Sequence, residues 1–232
     1  MKAYLLDIEG TTTPIDFVHE ILFPYAKERV VHFVKANFDA LRPEIVQLAA
    51  EHGSDRLYTS TLETASPESV AAYLAHLIDI DRKSTPLKSI QGKIWQAGYE
   101  AGEIRSQIFD DVPVAFEKWK DAGRTIAIYS SGSVLAQKDL FKYTDHGDLT
   151  PFISNYFDTT VGHKRDPNSY TVIARELGFA PSEVNFVSDI PEELDAAMKA
   201  GMHGVLSIRP GNAPVADANR YSTIEKLAEL ET

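Results

Sequence analysis

The second half of the chain alternates short apolar β-type runs with helical segments, and this alternation restricts the fold more than any other feature. Residues 125–129 run into Ser130-Ser131-Gly132-Ser133, and residues 156–161 read as a short strand before Gly162-His163-Lys164. Residues 184–187 enter Ser188-Asp189, and residues 204–208, read as the last strand, precede Arg209-Pro210-Gly211. Between these runs, residues 112–122, 134–141, 167–177 and 191–200 carry helical patterning, with Gly123, Gly178 and Gly201 closing three of the four. Strands that alternate with helices in this way build a parallel sheet with right-handed crossovers. The expected class is α/β, with a Rossmann-like, three-layer core.

One β-type run lies apart from the others. Residues 3–6 are apolar and end in Asp7-Ile8-Glu9-Gly10-Thr11-Thr12-Thr13-Pro14. From Phe17 onward no convincing strand occurs for roughly 90 residues, and apolar positions recur at helical spacing instead. Ser66-Pro67 and Ser84-Thr85-Pro86 each read as an N-cap followed by a proline in the first turn, opening helices that reach Ile80 and about Gly102. An all-helical block between the first strand and its partners is read as an insertion. The expected organisation is a discontinuous core, residues 1–15 with 106–232, carrying a helical cap at residues 16–105.

Charge and composition narrow the function. The 232 residues carry a net charge of −11, with 44% apolar and 25% charged residues. This is ordinary globular material, and an acidic chain disfavours a nucleic-acid partner, because phosphate-backbone binders present basic faces. No run of 18 apolar residues occurs, so no membrane-spanning helix is expected. Met1-Lys2 leads directly into the first strand, so no signal peptide is expected either. The absence of cysteine removes disulfide and thiolate chemistry and fits a reducing cytoplasm.

Four strand ends carry polar groups: Asp7 and Glu9, Ser130 and Ser131, the loop to Lys164, and Asp189 with Glu192 and Glu193. Each has an ordinary explanation taken alone. Ser-Ser-Gly-Ser is commonly a loop and N-cap, a loop lysine is commonly solvated, and acids at a helix start complement the macrodipole. Together, at the carboxyl ends of strands where open α/β sheets bind ligands, they form the set that phosphoryl transfer to a carboxylate needs. Asp7 is the expected nucleophile. Asp7 and Asp189 suit Mg²⁺, which prefers oxygen ligands, and Lys164 supplies a second cation against the converging negative charge. Ser130 and the backbone N–H groups beyond it are expected to hold phosphate oxygens. Glu193 is favoured as a carboxylate supporting the metal, and Glu192 as a surface acid.

At this point the chain resembles the haloacid dehalogenase superfamily of phosphatases, in the order strand-Asp-x-acid, strand-Ser, Lys, strand-Asp followed by acids. The usual second aspartate is Glu9 here, and Asp-Ile-Glu-Gly-Thr-Thr-Thr-Pro-Ile is similar to the enolase-phosphatase family of methionine salvage. So are residues 87–95 (Leu-Lys-Ser-Ile-Gln-Gly-Lys-Ile-Trp), 129–138 (Tyr-Ser-Ser-Gly-Ser-Val-Leu-Ala-Gln-Lys), 157–164 (Phe-Asp-Thr-Thr-Val-Gly-His-Lys) and 209–213 (Arg-Pro-Gly-Asn-Ala). The resemblance implies one Mg²⁺ at Asp7, Glu9 and Asp189, substrate contacts at Ser130, Ser131 and Lys164, and a cytoplasmic monomer. It implies enolisation of 2,3-diketo-5-methylthiopentyl-1-phosphate followed by its dephosphorylation. Glu9 is expected to bind the metal through its backbone carbonyl, leaving its side chain for proton transfer. The alternatives are a phosphatase of another small phosphate ester without the enolase step, and an inert binding protein on the same fold. In the helical block, Lys88, Gln91 and Trp95 share one helix face, read either as ordinary packing or as a surface that closes over substrate.

Overall fold

The computed structural model describes every residue except 81, 83, 231 and 232. The described residues fall into two compact units: Met1–Val18 with the chain from Arg105 onward, and His19–Ile104. The helical unit contains α1 (Phe23–Asn37), α2 (Arg42–His52), α3 (Pro67–Asp79) and α4 (Thr85–Glu100). The other contains β1 (Ala3–Leu6), α5 (Asp111–Asp121), β2 (Thr125–Tyr129), α6 (Val134–Lys142), β3 (Asn155–Phe157), α7 (Pro167–Leu177), β4 (Val184–Ser188), α8 (Pro191–Lys199), β5 (His203–Ser207) and β6 (Ser222–Ile224). Among the described residues no helix is long and apolar enough to cross a membrane.

The six strands form one parallel sheet in the order β3-β2-β1-β4-β5-β6. β1 is central, pairing Ala3 to Leu6 with Thr125 to Ile128 on one side and with Val184 to Val187 on the other. All four of its side chains are buried, which is why it reads as an unbroken apolar run rather than an alternating one. Successive side chains still point to opposite faces. Ala3 and Leu5 pack with Tyr170 and Ile173 of α7 and Leu194 and Ala197 of α8, whereas Tyr4 stacks on Trp119 of α5 with ring centroids 3.8 Å apart. The sheet is thus covered on both faces, and its carboxyl-end loops remain for chemistry.

The structure departs from the sequence expectations in three places. Residues 156–161 were expected as a strand, but β3 is Asn155–Phe157. Asp158 stops it by accepting hydrogen bonds from the N–H and hydroxyl of Thr160, an Asx-turn that diverts the backbone from the ladder. Residues 204–208 are not the last strand: β6 follows and pairs with β5. The chain enters the helical unit through a π-helical turn, Phe17–Leu22, rather than a regular α-helix.

The helical unit is built around Ala26, Val30 and Val34 of α1, Leu48 of α2, Leu74 of α3 and Ile90 of α4. Both serine caps form: the Ser66 hydroxyl accepts from the Ser69 N–H and the Ser84 hydroxyl from the Leu87 N–H, each at 3.2 Å. Trp95 packs partly buried against this core, and its indole N–H donates to the Leu22 carbonyl at 2.7 Å.

Candidate active site

The strand order reverses between β1 and β4, and in open α/β sheets ligands bind outside the carboxyl ends at that switch. Asp7 emerges there, its N–H still in the ladder with the Val187 carbonyl at 2.9 Å. The next residues wind tightly. The Ile8 carbonyl accepts from the N–H groups of Thr11, Thr12 and Thr13 at 3.2, 2.9 and 2.9 Å, and the Gly10 N–H donates to the Thr13 carbonyl at 2.8 Å. Gly10 sits at φ +65°, and a Cβ there would lie 2.6 Å from Asp189 Oδ2 and 2.7 Å from Asn212 Oδ1. Only glycine satisfies both the left-handed conformation and this close approach.

Four side chains converge on one another at the switch. Lys164 Nζ is 2.7 Å from Asp7 Oδ1 and 2.7 Å from Glu193 Oε2. Ser188 Oγ is 3.0 Å from Asp7 Oδ2 and 3.2 Å from Glu193 Oε2, with a single proton to share between them. The Ile8 N–H donates to Asp7 Oδ1 at 2.8 Å. Asp7 and Lys164 are only 5% and 8% exposed. The lysine backbone is held by the Tyr170 hydroxyl, which donates to its carbonyl at 2.6 Å, and its ammonium lies 5.8 Å from the Tyr129 ring centre. Burial alone would lower the Lys164 pKa, but Asp7 and Glu193 outweigh it and hold the ammonium above its ordinary value.

Asp189 and Glu193 are displaced the other way. Burial, then the Asp7 charge, pushes the Asp189 carboxyl up to about 7. Burial and the same neighbour raise Glu193. Asp189 Oδ1 is buried and has no hydrogen-bond partner among the described residues. One ammonium therefore faces an excess of carboxylates, the charge imbalance that a divalent cation relieves. Asp7 and Asp189 are the side chains that fit one. Among the described residues, no three acidic, histidine or cysteine side chains gather around one point. A cation here would complete its shell with backbone carbonyl and water, as Mg²⁺ commonly does.

The other expected residues occupy neighbouring strand ends. Ser130 follows β2 and is buried; its N–H donates to the Phe157 carbonyl, and its hydroxyl accepts from the Gly132 N–H, both at 3.2 Å. Ser131 is exposed beside it, and Glu9 is half-buried in the β1 loop. Glu193 joins the Lys164 cluster, while Glu192 is exposed with the Arg165 guanidinium 3.9 Å away. His163 is exposed and offers its carbonyl to the Ser169 hydroxyl. Sequence reasoning missed Ser188, whose only signal is a hydroxyl ending an otherwise mostly apolar strand. It also left unassigned the residues that hold the β1 loop from the β5 side, Ser207, Arg209 and Asn212. There the signal was the run Arg-Pro-Gly-Asn itself.

Fold and site define a hydrolase of the haloacid dehalogenase type: the model of the haloacid dehalogenase-like hydrolases matches residues 1–201, and the chain belongs to that family. Its relatives are more specific. A protein named Enolase-phosphatase E1 from Synechococcus elongatus is 52% identical, over 99% of this chain and 98% of its own length. Another of that name from Drosophila pseudoobscura pseudoobscura is 47% identical over 100% of this chain and 94% of its own. The crystal structure of the UTR4 protein from Saccharomyces cerevisiae is similar with a TM-score of 0.80 at 37% identity, covering 99% of both chains. A dehalogenase structure at 23% identity and TM-score 0.57 shares the fold.

Proposed function

We propose that Asp7 is the phosphoryl acceptor of an enolase-phosphatase, with Lys164, Asp189 and the Ser130 loop arranged around it. The chain is a phosphoric monoester hydrolase of methionine salvage. It enolises 2,3-diketo-5-methylthiopentyl-1-phosphate and releases phosphate to leave the acireductone 1,2-dihydroxy-3-keto-5-methylthiopentene. The observation that carries the residue assignment is the buried Lys164 ammonium, 2.7 Å from the Asp7 carboxylate. A carboxylate and a phosphate repel each other, and phosphoryl transfer depends mainly on positioning and on offsetting that charge.

The residues divide the work as follows. A proton leaves the phosphate-bearing carbon, the C–H electron pair becomes the C=C bond of the enol, and the half-buried Glu9 carboxylate is the group assigned to move the proton to the neighbouring carbonyl oxygen. Asp7 then attacks phosphorus, the bond from phosphorus to the substrate oxygen breaks, and an aspartyl-phosphate forms. Water cleaves this acyl-phosphate, returning the Asp7 carboxylate and releasing phosphate. Lys164 holds Asp7 and offsets the phosphate charge, and Ser188 and Glu193 fix Lys164 and Asp7 from behind. Ser130, Ser131 and the N–H groups leading into α6 receive the non-bridging phosphate oxygens. Asp7, Asp189 and the Glu9 carbonyl would hold Mg²⁺, which when bound supplies Lewis-acid stabilisation of developing negative charge.

The test is direct. Supplied anaerobically with the diketo phosphate and Mg²⁺, the protein should release phosphate and form a product with enediol ultraviolet absorbance. Asp7→Asn should release none while unfolding at a similar temperature. Phosphate release with the diketone chromophore retained would leave a plain phosphatase, and turnover by Asp7→Asn within tenfold of the parent would reject Asp7 as nucleophile.

A further inference from the structure

The run Arg209-Pro210-Gly211-Asn212 has no part in the chemistry above, yet it reaches into the loop that carries it. The Asn212 N–H donates to the Arg209 carbonyl at 3.1 Å, closing a turn with Gly211 at φ +89°. This turn points two side chains at successive peptide groups of the β1 loop. Asn212 Nδ2 donates to the Gly10 carbonyl at 2.9 Å and to the Ser207 carbonyl at 3.1 Å. Ser207 Oγ donates to the same Gly10 carbonyl at 3.1 Å, and Arg209 Nε donates to the Thr11 carbonyl at 3.1 Å.

An arginine near a phosphatase site invites assignment to the phosphate. Here its donors are committed elsewhere. Besides Thr11, Arg209 makes a two-pronged pair with Asp111, at 2.8 and 3.0 Å, and donates to the Glu225 carbonyl at 2.6 Å. Its guanidinium lies 4.5 Å from the Phe109 ring centre, and it is 6% exposed. Four of the five N–H groups of a guanidinium are thus spent inside the protein. The side chain acts as a brace between α5, the C-terminal segment and the β1 loop.

Asn212 is placed differently. Its Oδ1 is buried and, among the described residues, has no hydrogen-bond partner, like Asp189 Oδ1. Asn212 Oδ1 and Asp189 Oδ2 both flank Gly10, within 2.7 Å of the point where a Cβ would stand. An amide oxygen without a partner stands beside a carboxylate whose Oδ1 also lacks one, and the waters of a hydrated cation would bring the missing donors. We propose that Asn212, with Ser207, is a positioning residue for the cation: by fixing the Gly10 carbonyl it sets the Glu9–Gly10 segment against Asp7 and Asp189. This rests on the assignment of the cation to Asp7, Glu9 and Asp189. Groups that orient metal ligands from outside cost about 10- to 100-fold in affinity or activity when removed.

Titration calorimetry of Mg²⁺ into the metal-free protein tests the proposal without turnover. Asn212→Ala should weaken Mg²⁺ binding about tenfold. Ser207→Ala, which deletes the other donor to the same carbonyl, should weaken it in the same direction. In turnover, kcat at fixed Mg²⁺ should fall and be restored by excess Mg²⁺, with KM for the phosphate ester unchanged; a merely structural residue would lower the melting temperature and leave the Mg²⁺ isotherm alone. Affinity within twofold of the parent in Ser207→Ala and in folded Asn212→Ala, with binding lost in Asp189→Ala, overturns the clamp and spares the site. If Asp189→Ala itself binds Mg²⁺ like the parent, the cation assignment fails and the clamp falls with it. Should Asn212→Ala not fold, Ser207→Ala decides alone.

Discussion

At Asp189 the protein keeps a half-buried carboxyl within the field of Asp7, and both influences favour the protonated form, moving its pKa from 3.8 to about 7. Between those values the folded state holds more protons than the unfolded state, so the metal-free protein should lose stability as pH rises through this window. A cation competes with the same proton. The stabilisation conferred by saturating Mg²⁺ should therefore grow from pH 5 to pH 7.5, and Asp189→Asn should flatten that dependence. Thermal unfolding with and without Mg²⁺ at the two pH values checks it; an equal Mg²⁺ increment at both would contradict the assignment. The places of Asp7, Lys164 and Asp189 at neighbouring strand ends were legible in the sequence, because charged residues gather there in such number for few structural reasons. Ser188 and Asn212 were not, since a serine ending a strand and an asparagine in a turn have everyday reasons to be there. Their meaning lies in partners far along the chain, Asp7 and Gly10.

Helices announced themselves better than strands, and for a local reason. A serine cap followed by proline is a complete instruction within a few residues, so α3 and α4 were legible at their starts. β3 was over-extended because Val161 continues an apolar pattern that the Asp158 turn interrupts. β6 was invisible because Ser222 and Thr223 are exposed and Ile224 alone is buried. The cap of α4 gives an element-level prediction. Ser84 is 1% exposed and its hydroxyl accepts from the Leu87 N–H, so Ser84→Ala leaves a buried donor unpaired and should cost about 1 to 2 kcal/mol. Ser84→Asp, which keeps an acceptor there, should recover part of the loss. The reading is the urea midpoint at unchanged m-value; a midpoint unmoved by Ser84→Ala would show that the cap contributes nothing.

On the scale of the whole molecule, the alternation after Asp111 was enough to give a parallel sheet, and the missing partners of residues 3–6 are the reason for expecting an interrupted core. The order β3-β2-β1-β4-β5-β6 was not legible, because nothing local to four apolar residues says which strands will flank them. That centrality governs how the chain acquires its structure. β1 is made first, but its neighbours begin at Thr125 and Val184, so the middle of the sheet waits on the longest loop closures of any strand pairing. α1 to α4 close over short separations. Folding rates fall as contacting residues become more distant in sequence. In a refolding experiment with pulsed amide exchange, Val30, Val34 and Leu74 should gain protection before Leu5 and Leu6. Simultaneous protection of both groups would mean that the sheet nucleates the molecule. In the expected order, the Asp7 loop is among the last parts of the chain to take shape, and catalytic competence reports the end of folding rather than any stage before it.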